Sequence, residues 1–390
     1  MKLMTITESN NANLGPISSS KIMQSLEFKE TTVSLYENEV PIFIDAELER
    51  LFENVYTSIA RYKIYNEIEN ASTYVVRKGG EVTAVFLFRH EAMEVKVLNN
   101  QVKIDAEEIH RFTETIFARF KSVGLISFYA IETNISNLPY PFQQCNSLEE
   151  MVLTLPNTLE NYRACLGSKM RYDVNHCTRN LERDFPSFRH EIFSKEDVSE
   201  QHIREIIRLT EARMAAKKKA SYISTAETER IIRLVRIYGM VSIITIEGRV
   251  CGGQIYYRMG TRYFMQVIAH DPQYDDYKLG IICNYLTIRD CIASGGRECR
   301  FMGGGHAHKA RFRAVPLDFD SVVVYRSRMQ FFLDSRRILR TLFECYLCKL
   351  KRRILAAELK ESFANRLLVK ALMLLRNLKK IRLAYMAARK

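Results

Sequence analysis

Residues 239–314 hold the pattern that most restricts the fold. Three runs rich in β-branched and aromatic residues lie at 241–246 (VSIITI), 251–257 and 262–268, separated by Glu247-Gly248-Arg249 and Met259-Gly260-Thr261. Such side chains suit a pleated, half-buried surface, and turns this short join antiparallel neighbours, so the stretch reads as a three-stranded meander. His270-Asp271-Pro272 and a polar loop to Lys278 follow, and Gly280 opens an apolar-periodic helix that stops at Gly295-Gly296. A short strand, CRFM, then runs into Gly303-Gly304-Gly305-His306-Ala307-His308-Lys309-Ala310-Arg311-Phe312. A loop feeding a helix start, beside a strand ending in a Gly/His/Lys cluster, marks the candidate ligand-binding edge.

The same order of elements occurs earlier. Leu48, Leu51, Phe52, Val55, Tyr56, Ile59 and Ala60 share one face of a helix expected over 42–70. Strands at 73–76, 82–88 and 93–98, a helix over 106–121 and a strand at 125–131 follow. Aligning Gly80 with Gly248 sets 82–88 beside 250–256, a repeat of architecture and not of residues. Between the two runs lie helices over 155–166 and 169–184, the second capped by Gly167-Ser168, then a strand at 188–193 and helices over 199–216 and 226–238. Lys217-Lys218-Lys219 sits in a link suited to a mobile loop, and a strand at 321–325 closes the second run. The expected division is a flexible N-terminus (1–30), a first, degenerate α/β unit (31–150), a second, catalytic unit (151–325) and a basic amphipathic helical tail (326–390).

Length and charge support that division. A chain of 390 residues exceeds one ordinary domain, and its 47% apolar content fills sizeable cores. No apolar run approaches the roughly 20 residues of a membrane span, and the start has no apolar signal core, so a cytoplasmic location is expected. Nine cysteines are scattered, with Cys345-x-x-Cys348 the one close pair, so reduced thiols and no metal site are expected. Of the net charge of +13, residues 326–390 carry 18 Lys/Arg against 4 Asp/Glu, and the rest of the chain sums to −1. In the tail, Leu367, Leu368, Leu372, Leu375 and Leu378 alternate at helical spacing with Lys370, Arg376 and Lys379. That pattern suits packing on the body or an anionic membrane surface.

Two constellations carry chemistry. At the loop–helix junction over 271–281, unpaired backbone N–H groups and the helix dipole form a seat for phosphate, with Gly280 allowing close approach and Lys278 adding charge. After the strand CRFM, three glycines precede two histidines, a lysine and two arginines, more polarity than core packing explains. Histidine serves as acid or base near neutral pH, and Lys309, Arg311 and Arg313 can hold an anion. The basic helix over 169–184 adds Lys169, Arg171 and Tyr172 as candidates for substrate binding.

Three strands, a loop into a helix N-terminus and a further strand resemble the core of the GNAT acyltransferases. LGSKMRYDVNHCTRNLERDF, AHDPQYDDYKLGIICNYLTIRDCIASGG and FMGGGHAHKARFRA resemble more closely its FemAB/CelD-like branch, in which two GNAT-type units are fused. Leu279 stands where the branch has the proline of Pro-Gly, and the GNAT pyrophosphate signature survives only as Gly280. The resemblance implies an α/β (α+β) fold of two fused units with mixed, largely antiparallel sheets. It also implies transfer of an acyl group from acetyl-CoA or another acyl-CoA, without metal, to an amine or hydroxyl. The acceptor implied is a small-molecule or lipid-linked sugar precursor of a cell-surface polysaccharide. Backbone N–H groups near Val267, Ile268 and Ala269 would hold the oxyanion, with Gly280 and Ile281 on the pyrophosphate and Lys278 beside it. His308 is the first choice of base, Asp271 stands behind it with His306 nearby, and Lys309 orients or neutralises the substrate. Aminoacyl transfer from tRNA and a non-catalytic degenerate pair remain the alternatives.

Overall fold

The computed structural model describes residues 24–28, 31–216, 221, 223–302 and 306–357. The first half comprises β1 (Gln24–Phe28), β2 (Thr31–Tyr36), α1 (Ile44–Phe52), α2 (Ile59–Ile64), β3 (Ser72–Lys78), β4 (Glu81–Glu91), β5 (Glu94–Val97), α3 (Ala106–Arg119), β6 (Leu125–Ile131) and β7 (Phe142–Thr154). The second comprises α4 (Leu159–Cys165), α5 (Ser168–Asp184), β8 (Arg189–Ser194), α6 (Glu200–Ala216), α7 (Thr225–Tyr238), β9 (Gly239–Ile246), β10 (Arg249–Met259), β11 (Arg262–His270), α8 (Leu279–Ala293), β12 (Glu298–Phe301), α9 (His306–Ala310) and β13 (Val315–Tyr325). Helices α10 (Arg328–Leu333) and α11 (Ser335–Ala357) follow.

Among the described residues the strands join in one mixed, mostly antiparallel sheet, ordered β1-β2-β3-β4-β5-β6-β13-β7-β12-β11-β10-β9-β8. The two halves mirror each other across its middle. Hairpins β3–β4 and β9–β10 both turn on consecutive positive-φ residues, Gly79-Gly80 and Glu247-Gly248. Paired left-handed residues give the turn whose twist matches the strands, so aligning Gly80 with Gly248 finds equivalent hairpins. In each half a helix then crosses over to a parallel strand: α3 between β5 and β6, α8 between β11 and β12.

The terminal strands are exchanged. β13, last in the chain, pairs with β6, and its Val322 and Val324 enter the first half's core beside Val123, Ile126 and Phe128. β7 crosses the seam to pair with β12, setting Phe301 opposite Met151 and Arg300 opposite Val152. A division at 150/151 would cut β7 in two.

Local departures have local causes. The helix expected over 42–70 is broken because the Asn54 side chain accepts the Tyr56 N–H (2.9 Å) and the Ser58 hydroxyl accepts that of Arg61 (3.2 Å), each starting a new turn. Gln24–Phe28, inside the expected flexible N-terminus, pairs with β2. The other expectations for 1–23, for Lys217-Lys218-Lys219, for Gly303-Gly304-Gly305 and for the leucine pattern after 357 lie outside the described residues. Cys145 on β7 and Cys345 on α11, 200 residues apart in sequence, stand side by side with their Cα atoms 6.3 Å apart. No helix among the described residues is long and apolar enough to cross a membrane.

Candidate functional site

The sheet opens where β11 leaves β12. Pairing between them covers Arg262 to Met265 and Glu298 to Phe301 only. The next residue, Gln266, is the extra member of a bulge, since Ile255 faces Val267 while Tyr256 faces Met265. A bulge bends its strand, and here it turns β11 away from its parallel neighbour.

Beyond the bulge the Asp271 N–H donates to Cys251 O (2.7 Å). Hydrogen-bonded pairs alternate along an antiparallel ladder, so Ala269 and Val267 also face β10, while Ile268 and His270 turn their backbone groups to the open side. The Arg213 guanidinium donates to Ile268 O (3.2 Å), as that direction requires. Of the three residues expected at an oxyanion, Ile268 alone presents its N–H to the cleft.

Helix α8 starts beside this edge. Its N-cap, Lys278, is left-handed and lends no side chain to the first turn, which leaves the N–H groups of Leu279 and Gly280 available to an anion. Gly280 has a second, packing reason to lack a side chain: a Cβ there would lie 2.7 Å from His270 Nδ1. The His270 ring is held on its other side by Asp275 (Nε2 to Oδ1, 2.8 Å). Lys278 contributes less free charge than its position suggests. Its ammonium donates to Asp173 Oδ1 (2.7 Å), and Arg311 donates to Asp173 Oδ2 (2.9 Å). Asp173 is buried, and the Lys278 hydrogen bond holds its carboxyl below the usual range. This carboxylate clamps α5 to the start of α8 and to the turn after α9.

Helix α9 carries His308 and Lys309. The His308 ring stands edge-on to Phe312 (5.4 Å), with the Asn284 amide 3.4 Å from Nε2. Partial burial, then the cations Arg311, Lys309 and Arg213, hold His308 below its ordinary pKa, so the imidazole is neutral near pH 7. Burial lowers the Lys309 ammonium to about 8, opposed by Glu150, and Lys309 donates to Met302 O. Glu150, on β7, is buried, and burial pushes its carboxyl up to about 7. Arg300 lies 3.8 Å from its Oε2, which has no hydrogen-bond partner.

Other expected residues are placed differently. Asp271 accepts the Gln273 N–H (2.9 Å) and so caps the turn after β11, a structural reason for the residue that competes with a role as base. Ile281 donates its N–H back to Lys278 O (2.8 Å), which removes it from the groups free to hold a pyrophosphate. Arg171 closes the α4–α5 corner by donating to Leu166 O (2.6 Å) and Ala164 O (3.2 Å), so it does not reach into the cleft. Tyr172 is exposed and stacks on His176, Lys169 is exposed, and the His306 side chain lies outside what is described. Asp173, Glu150, His270 and Asn284 are the residues that sequence reasoning missed.

A cavity of about 570 Å³ lies between the halves, apart from His308, with Phe52, Gln101, Glu108, Arg262, Arg300 and Leu317 in its wall. At the far edge of the sheet, His190 Nε2 lies 2.8 Å from Ser242 Oγ and Nδ1 lies 3.7 Å from Asp290, but the serine is wholly buried, so the trio is a clamp. Among the described residues no three His, Cys, Asp or Glu cluster as metal ligands.

Residues 168–310 match the family model described as acetyltransferase (GNAT) domain. No curated protein matches by sequence. The crystal structure of FemX superposes with a TM-score of 0.54 at 8% identity, over 73% of this chain and 96% of that one. L-PGS from Bacillus licheniformis gives 0.47 at 12% identity, over 79% and 97%. A conserved protein of unknown function from Bacteroides thetaiotaomicron gives 0.46 at 10%, over 74% and 99%. At 8% identity the likeness to FemX is one of fold.

Proposed function

We propose that this chain, whose residues 168–310 match the acetyltransferase (GNAT) domain model, is a transferase that moves an acyl group from acyl-CoA, with acetyl-CoA the first candidate. The acceptor is an amine or hydroxyl of a small or lipid-linked sugar precursor of a surface polysaccharide, taken up in the cytoplasm. The observation that carries the reading is the opening beside β11, where the Ile268 N–H faces out and the start of α8 is free, with His308 set against Asn284 of the same helix.

The donor's pyrophosphate lies at the first turn of α8, held by backbone N–H groups because Asp173 already takes up the charge of Lys278. The thioester carbonyl points at the Ile268 N–H. His308 takes the proton as the acceptor nitrogen or oxygen attacks the carbonyl carbon, negative charge gathers on the carbonyl oxygen, and the CoA thiolate leaves. Lys309, as a cation, orients or neutralises the acceptor.

Calorimetry with acetyl-CoA, paired with acyl transfer to amino-sugar acceptors, tests this. Micromolar binding is expected, with His308→Gln lowering kcat about 10²–10⁴-fold and leaving the donor Kd unchanged. Binding of tRNA without acetyl-CoA would replace this reading with aminoacyl transfer, and binding of neither would leave a non-catalytic pair.

A further inference from the structure

Among the described residues, helices α10 and α11 leave a large apolar face uncovered. One side of α11 is committed to the sheet. Arg337 makes a two-pronged contact with Glu94 (2.7 and 2.9 Å), Ile338 packs with Leu125, Val323 and Tyr325, and Cys345 lies beside Cys145. The side turned away carries Leu339, Leu342, Phe343 and Tyr346 at i, i+3, i+4 and i+7, the spacing of one helical stripe. These side chains are 49% to 66% exposed, and Phe332 and Leu333 of α10 are 72% and 71% exposed. Solitary exposed apolar residues need no explanation, but a continuous stripe marks a surface that meets something.

Charge decides what it meets. Arg328 and Arg336 are exposed on the same two helices, and residues 326–357 hold nine Lys/Arg against two Asp/Glu. Residues 358–390 repeat that balance, nine against two. Neither the chain's own C-terminal segment nor the same face of a second copy is therefore electrostatically complementary to it. An anionic lipid surface complements both properties, because apolar side chains enter the acyl boundary while arginines remain among the headgroups. We propose that the α10–α11 face is a docking surface for an anionic bilayer, with the sheet held above it by the α11–β7 contacts. The inference stands independently of the transfer reaction.

The test is sedimentation of the full chain with phosphatidylglycerol/phosphatidylcholine vesicles and with pure phosphatidylcholine. Binding to anionic vesicles is expected to exceed binding to neutral ones about tenfold or more and to weaken with salt. Combined Leu342→Glu and Phe343→Glu should lower it about tenfold or more, and Arg336→Glu should lower both the affinity and its salt dependence. The chain has no tryptophan, so Phe343→Trp adds a single reporter whose emission should shift to the blue on anionic vesicles. Equal binding to both vesicle types, an unshifted reporter, or wild-type sedimentation of the double variant would overturn the proposal. Wild-type sedimentation with a lowered melting temperature would identify the stripe as an internal packing face.

Discussion

Asp173 is the most informative single position, because it links three elements through one carboxylate. It is 3% exposed, whereas its partners Lys278 and Arg311 have side chains 41% and 39% exposed. Removing one member of a fully buried pair costs about 3–5 kcal/mol, and an exposed pair is worth about 0–1 kcal/mol. Here the cations left behind can turn to water, which places Asp173→Asn between those limits, at about 2 kcal/mol. The urea midpoint at pH 7 should fall by about 0.5–1 M with the slope unchanged. The sign with pH follows from the lowered folded-state pKa. The native carboxylate is stabilised relative to the unfolded chain above the ordinary aspartate pKa, and that stabilisation fades as pH falls through the lower folded value. The difference between wild type and Asp173→Asn should therefore be full at neutral pH and shrink below about pH 4. A variant matching wild type at pH 7, or an equal deficit at both pH values, would refute the assignment.

Three further outcomes follow from the same geometry. Gly280→Ala places a methyl against the His270 ring and should push it off Asp275, raising the acetyl-CoA dissociation constant about tenfold with the far-ultraviolet spectrum intact; an unchanged constant counts against a phosphate seat there. Glu150→Gln removes the group that opposes the lowering of Lys309, so the alkaline limb of kcat/KM, expected near pH 8 in the wild type, should move to lower pH. A limb that stays in place would detach Lys309 from the rate. Cys145 and Cys345 stand close enough to be bridged, so mild oxidation should lower the thiol titre of the denatured chain by two, and Cys345→Ser should abolish that loss; an unchanged wild-type titre would part the two residues.

The two meanders were legible because their turns are written in glycine and their strands in β-branched and aromatic residues. β7 was not. Its sequence, FQQCNSLEEMVLT, carries polar side chains where a strand in the middle of a sheet ordinarily has apolar ones. Those residues face the seam, where Gln144 meets Asp320 (2.6 Å) and Glu150 meets Arg300, so tertiary partners replace local propensity. The break in the first helix had a readable sign in Asn54 and Ser58, both good caps, but apolar periodicity continues through them. At the site, His308, Lys309 and Gly280 stood out from their immediate neighbours, whereas Ile268 entered only with Val267 and Ala269 through the resemblance. Asp173 did not, because its meaning lies in Lys278 and Arg311, 105 and 138 residues away.

The exchanged strands also bear on how a substrate reaches the cleft. A fold of two halves invites the idea that they open about a hinge, yet each half is completed by a strand from the other. In the sheet order the completed halves meet at β13 and β7, so separating them would strip these two strands apart along the ladder from Val315 and Val152 to Val324 and Phe142. The seam carries charged hydrogen bonds besides: Arg262 to Phe52 O (2.8 Å), Arg300 to Gln101 O (3.1 Å) and Thr261 to Glu53 (3.0 Å). Tyr65 with Glu227 (2.6 Å) and Tyr238 with Glu49 (2.8 Å) extend it along the helices. Breaking such a set together is costly, since a hydrogen bond to a charged group is worth about 1.5–3 kcal/mol. Access to the Ile268 edge therefore depends on the elements that border it on one side only, α9 and the turn before α8. Their Asp173 clamp is half open to solvent, and it can loosen without disturbing the sheet.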